Sequence, residues 1–130
     1  MRRLIVGLAL AAVMVSAPAA AQENPTIAFA TALESSDMGG ALGAWGANLA
    51  GATERERLHD AIAADRDRLA GVVPDACLLP TYVGYLEALT YADVALTLFE
   101  AFLLEASASV QNMVAAKIGS LDPESLVACL

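Results

Sequence analysis

Residues 81–107 read TYVGYLEALTYADVALTLFEAFLLEAS, the longest apolar stretch in the body of the chain. Its large apolar side chains recur at intervals of three and four rather than at every second position, which is the period of a helix. Glu87, Asp93, Glu100 and Glu105 interrupt it. An acidic side chain near the middle of a bilayer costs about 2.5–3.5 kcal/mol, so four of them argue against a membrane span. The expectation is one long central helix over about 81–107, apolar on most sides and covered by its neighbours.

The flanking segments extend the helical reading. Nowhere in the interior does the sequence alternate strictly, and alanine and leucine outnumber β-branched residues. The expected fold is therefore all-α, a small bundle of about five helices. Pro25 can occupy the first turn of a helix over 26–36, with Ile27, Ala30 and Leu33 on one face and Phe29 alongside. In residues 39–51, five glycines argue for a loop, at about 1 kcal/mol each inside a helix. Against that, Met38, Leu42, Trp45 and Leu49 keep helical spacing, and Gly39, Gly43, Ala47 and Gly51 form a small-residue ridge of the kind that lets helices approach closely. The favoured reading is a helix packed tightly on a neighbour.

Thr53-Glu54-Arg55-Glu56 has the form of a capping box. It opens a helix with Leu58, Ile62, Leu69 and Val72 or Val73 as its buried stripe, and with Glu54–Arg57 and Asp65–Arg68 pairs on a solvated face. Gly71 and Pro74 end it. Another helix is expected over 109–118, with Val110, Met113, Val114 and Ile118, stopped by Gly119. A last short one starts with Asp122 as N-cap and Pro123 behind it.

Arg2 and Arg3, the apolar run from Leu4 to Val15 and the Ala19-x-Ala21 site before Gln22 have the layout of a secretory signal peptide. Cleavage after Ala21 would leave residues 22–130 as a single domain in the periplasm or outside the cell. Gln22, not a lipobox cysteine, stands directly after the cleavage site, so no lipid anchor is expected. Past that site, five basic side chains (Arg55, Arg57, Arg66, Arg68, Lys117) stand against fifteen acidic ones, a balance of −10 with His59 neutral. Such a chain repels phosphates and anionic headgroups, which disfavours nucleic acid and anionic membranes as partners. Cys77 and Cys129 are the two cysteines. In an oxidising compartment their pairing is the default, and a closed loop of about fifty residues contributes roughly 4 kcal/mol in the chain-entropy model.

No catalytic set emerges. His59 is the one histidine, read as a surface residue; no H-x-x-x-H pair marks a metal site, no G-x-S-x-G elbow marks a nucleophile, and no two carboxylates are singled out. The chain is read as non-enzymatic, without cofactor or metal. Its expected role is to bind another envelope or secreted protein, through the aromatics Tyr82, Tyr85, Tyr91, Phe99 and Phe102 with Trp45; a homodimer is compatible with the same face. A carrier of a small apolar ligand between helices is an alternative.

Pro80-Thr81-Tyr82-Val83-Gly84-Tyr85-Leu86-Glu87-Ala88-Leu89 resembles a P-T-x-V-G-[FY]-x-E-A-L run of the small acid-stress chaperones of the bacterial periplasm. Leu121-Asp122-Pro123-Glu124-Ser125-Leu126-Val127-Ala128-Cys129 resembles their T-P-x-x-V-x-A-C segment. In that family Cys77 would stand farther from Pro80 and Cys129 nearer to it, and residues 22–74 have no counterpart. The resemblance implies an exported helical protein with one disulfide, dimeric at neutral pH, that exposes apolar surface in acid and holds unfolded clients. Independently of it, acid would carry the net charge from −10 to about +6 and neutralise Glu87, Asp93, Glu100 and Glu105 among their apolar neighbours.

Overall fold

A computed structural model describes residues 24–121 and 123–130; the signal-peptide segment, its cleavage site and the Asp122 cap lie outside them. Among the described residues six helices follow in chain order: α1 Pro25–Glu34, α2 Met38–Ala47, α3 Ala52–Leu69, α4 Leu79–Glu100, α5 Leu104–Gly119 and the short α6 Pro123–Ala128. Among the described residues there is no strand, and the all-α expectation holds.

Local chemistry sets the helix starts. Asn24 caps α1, its Oδ1 accepting from the Thr26 amide at 2.8 Å, with Pro25 in the first turn. The buried face of α1 is Thr26, Phe29 and Ala32, so Ile27 faces outward instead of inward. Helix α2 is capped not by Asp37 but by Ser36, whose Oγ accepts from the Met38 amide at 3.1 Å. The expected Thr53 capping box is not formed: α3 begins at Ala52, with Gly51 at the N-cap and no side-chain cap. A β-carbon on Gly51 would collide with the side chains of Glu54 and Asn48, so the absence of one is what lets both fold over this helix start.

Residues 39–51 divide between the two competing readings. Helix α2 runs to Ala47, and Asn48 to Gly51 make a turn. Met38, Ala41 and Trp45 are buried, whereas Leu49 is exposed in the turn. The small-residue ridge is not the tight helix contact expected. Gly39, Gly43 and Gly46 line an open groove shared with Gln111, Asn112, Ala115, Ile118 and Gly119 of α5, and a β-carbon on any of the three would meet empty space.

The central helix is shorter than the expected 81–107. It ends at Glu100, and the chain turns back at once into α5, so the last residues of the expected helix belong to its partner. Ser107 Oγ donates to the Ala95 carbonyl at 2.8 Å and Lys117 Nζ to Glu87 at 2.9 Å, a pairing order that makes α4 and α5 an antiparallel hairpin. Ala88, Ala92 and Ala95 are fully buried between Tyr85, Leu89 and Leu96, and these small side chains let the two helices come together. One cluster built on Phe29, Trp45, Leu58, Ile62, Leu89 and Leu96 forms the core.

Aromatic contacts join the helices. Phe29 of α1 meets Tyr82 of α4 edge to face at 5.5 Å, and Trp45 of α2 meets Phe99 at 5.6 Å. The Arg55 guanidinium lies 5.1 Å from the Phe99 ring centre, and both it and the Trp45 indole N–H donate to the Leu49 carbonyl at 3.1 Å.

Cys77 and Cys129 are bridged, with Cα atoms 5.8 Å apart across a sequence separation of 52. The bridge ties the short α6 to the segment leading into α4. Reduction is expected to lower stability by about 4 kcal/mol if the loss is entropic. Denaturant unfolding with and without reductant measures it; equal midpoints would show that the bridge contributes nothing.

Candidate functional site

Two features stand apart from ordinary packing. The first is the tip of the α4–α5 hairpin, the run Phe102-Leu103-Leu104 between Glu100 and Glu105. The Leu103 amide donates to the Leu98 carbonyl and the Phe102 amide to the Phe99 carbonyl, both at 2.9 Å. This is the paired-bond pattern of a Schellman motif, whose left-handed residue is usually glycine. Here it is Phe102, at φ +63°. At the other left-handed position, after α3, the chain uses Gly71. A non-glycine side chain in this region costs on the order of 1–3 kcal/mol. Burial does not offset that cost, because Phe102 is 86% exposed and Leu103 and Leu104 are more than half exposed.

The aromatics expected on one open face are dispersed. Trp45 and Tyr85 are in the core, and Tyr82, Tyr91 and Phe99 are half-buried against it; of the six, Phe102 alone is exposed. Three of the four carboxylates expected among apolar residues sit opposite bases on other helices. Glu87 pairs with Lys117, Asp93 with Arg66 at 3.2 Å and Glu100 with exposed His59 at 3.4 Å. Glu105 lies in the exposed first turn of α5.

The second feature is interior. Asp65 was expected on the solvated face of α3, yet it is 2% exposed. Its Oδ2 accepts from Ser36 Oγ at 2.6 Å and, at shorter range, from the Tyr85 hydroxyl; its Oδ1 accepts from Arg68 at 2.7 Å. Ser36 and Tyr85 also touch each other at 2.7 Å. The α1–α2 turn, α3 and α4 therefore meet at one carboxylate. Burial pushes the Tyr85 hydroxyl well above its ordinary value of 10, and its bond to the Asp65 carboxylate pushes it further; Ser36 and Arg68 pull less strongly the other way. The hydroxyl thus keeps its proton. The stability this contributes is whole below about pH 10 and is lost as pH rises from there through the raised value. Arg57 does not pair with Glu54 but reaches Asp37 with two bonds of 2.7 Å, and these hold the Asp37 carboxyl below its ordinary 3.8.

Beside the interior cluster lies a cavity of about 160 Å³, partly open to solvent at Gly39. Leu33, Met38, Ile118, Leu121 and Leu126 form its apolar wall, and Ser36 and Tyr85 are its hydroxyl-bearing residues. Among the described residues, no group of three His, Cys, Asp or Glu could hold a metal ion, and no helix is long and apolar enough to cross a membrane. Neither the family models, nor the curated proteins, nor the solved structures contain a match to this chain.

Removing Asp65 takes away the acceptor that the buried Tyr85 hydroxyl and the half-buried Ser36 hydroxyl share, whereas removing Arg68, 39% exposed, takes one donor from the carboxylate and leaves both hydroxyl bonds in place. Asp65→Ala is therefore expected to cost about 2–4 kcal/mol and Arg68→Ala about 1–2 kcal/mol, read by urea denaturation. Equal losses would mean that the Asp65–Arg68 ion pair, not the hydroxyl bonds, dominates.

Proposed function

We propose that this chain is an exported, non-enzymatic binding module, working in the periplasm or outside the cell, which engages a protein partner through the tip of its α4–α5 hairpin. The observation that carries the reading is Phe102. An exposed aromatic side chain occupies a backbone position where glycine would be more stable, and at 86% exposure burial does not offset the cost. Backbone strain of this kind persists where a function requires it. Exposed aromatics that enter a partner's pocket are the residues that dominate interface energies. Glu100 and Glu105 bracket the apolar tip, so its complement is an apolar pocket with a basic rim. The same two acids, in a chain of net charge −8 overall, oppose an anionic lipid surface.

Phe102→Gly separates function from stability. The variant is expected to be as stable as the parent or more so, by about 1 kcal/mol, because the strain is relieved. Affinity capture from native envelope extract at pH 7 is expected to retain one stoichiometric partner on the parent protein and to lose it by at least tenfold on Phe102→Gly. Equal capture by both proteins, or a Phe102→Gly variant that is clearly less stable, would overturn the reading.

A second reading, an acid-activated holdase, is supported by the ion pairs and by the chaperone resemblance of residues 80–89 and 121–129. Glu87, Asp93 and Glu100 tie α4 to α5 and α3, and Asp37 ties the start of α2 to α3. The contribution of Asp37 is present above its ordinary value and is lost as pH falls through its lowered one. Binding of a hydrophobic dye is expected to rise between pH 7 and pH 3. In the combined variant Glu87→Gln, Asp93→Asn, Glu100→Gln, dye binding is expected to be raised already at pH 7. A flat dye response across that range excludes the holdase.

A further inference from the structure

We infer that the cavity beside Ser36 and Tyr85 is a binding site for a small, mostly apolar molecule bearing one hydrogen-bond donor, the chemistry of a phenol or a compact cyclic alcohol. The inference is independent of the hairpin tip and of any protein partner. Size sets the first limit. At about 160 Å³ the space is close to the roughly 150 Å³ in which an aliphatic-lined protein cavity takes up benzene, although here one side is open to solvent, so a single ring is the body it can surround. The wall sets the second limit: it is aliphatic side chains and one methionine, so the body of the ligand is apolar.

The polar end follows from counting protons. Ser36, Tyr85 and Asp65 bring three oxygens into mutual contact, and only the two hydroxyls carry protons to share. Tyr85 donates to Asp65. Ser36 donates to Asp65 or to Tyr85, and its oxygen already accepts from the Met38 amide. Both hydroxyl protons are therefore used inside the triangle. What the pair retains for a ligand is lone-pair capacity, so Ser36 and Tyr85 can accept a hydrogen bond and cannot give one without breaking another. A molecule that offers only an acceptor, such as an ether or ketone, meets no donor there. Discrimination comes from the Tyr85 end, the buried part of the wall, where a ligand without a donor leaves lone pairs unmatched.

The test uses the oxidised protein, labelled with nitrogen-15 and titrated separately with phenol and with anisole, which has the same ring but no donor. Phenol is expected to give saturable shifts at the amides of Ser36, Tyr85 and Leu121 and to bind at least tenfold more tightly than anisole. Tyr85→Phe, which keeps the shape but removes an acceptor, is expected to erase most of that preference. Leu126→Trp and Leu33→Phe, which fill the space from different helices, are each expected to weaken phenol at least tenfold. The inference is overturned if phenol gives no saturable shift, if anisole binds as tightly, or if a folded filled variant binds phenol like the parent. Should both filled variants fail to fold, the phenol-to-anisole ratio of the parent and of Tyr85→Phe decides alone.

Discussion

A carboxylate almost out of reach of water is the constraint on which this bundle turns. Buried carboxylate oxygens need donors around them, and those of Asp65 find theirs in the α1–α2 turn, in α4 and in the next turn of its own helix. Three elements that could otherwise slide on apolar contacts must therefore meet at one point. Ser36 is the clearest case. The same oxygen that donates to the carboxylate accepts from the amide that begins α2, so the helix start and the buried cluster are one hydrogen-bonded unit. The apolar core supplies the bulk of the driving force, being non-directional. The polar triangle supplies register.

The α4–α5 hairpin is organised by different means. Alanines at 88, 92 and 95 bring its helices together, Ser107 crosses between them, and the turn is closed by main-chain bonds alone. Such a turn asks only for a left-handed residue. That the residue is phenylalanine is not explained by anything the hairpin needs, which separates it from every buried aromatic in the protein. Trp45 and Phe99 each have ring partners, and Tyr82 has Phe29.

Much of the fold is legible in the residues because its signals are local. Pro25 and Pro80 mark helix starts, and Leu58, Ile62 and Leu69 mark a buried stripe at helical spacing. The helix break at 101–103 is not legible: the apolar period runs on through Phe102-Leu103-Leu104 with no glycine or proline to interrupt it. Asp65 misleads for a related reason. Its neighbour Arg68 stands at the spacing of a surface pair, while its decisive partners are 29 and 20 positions away. The glycines of α2 keep helical period, but whether a smooth ridge is filled by another helix or left as a groove depends on where α5 lies. The disulfide is legible from the count of cysteines, whereas the cavity is not, since its walls come from five helices and the turns between them.

The covalent ring closed by Cys77 and Cys129 contains the whole of α4 and α5, with the exposed turn at Phe102 midway along it. A protease that cleaves the chain at this turn would open the ring without dividing the molecule. The product would be two polypeptides held by one pair of sulfurs and by the packing of α4 on α5. It would gain only the mass of one water, and its two pieces would stay covalently joined until a reductant reached the bridge. A single cut at the exposed Phe102 turn thus leaves the protein in one piece.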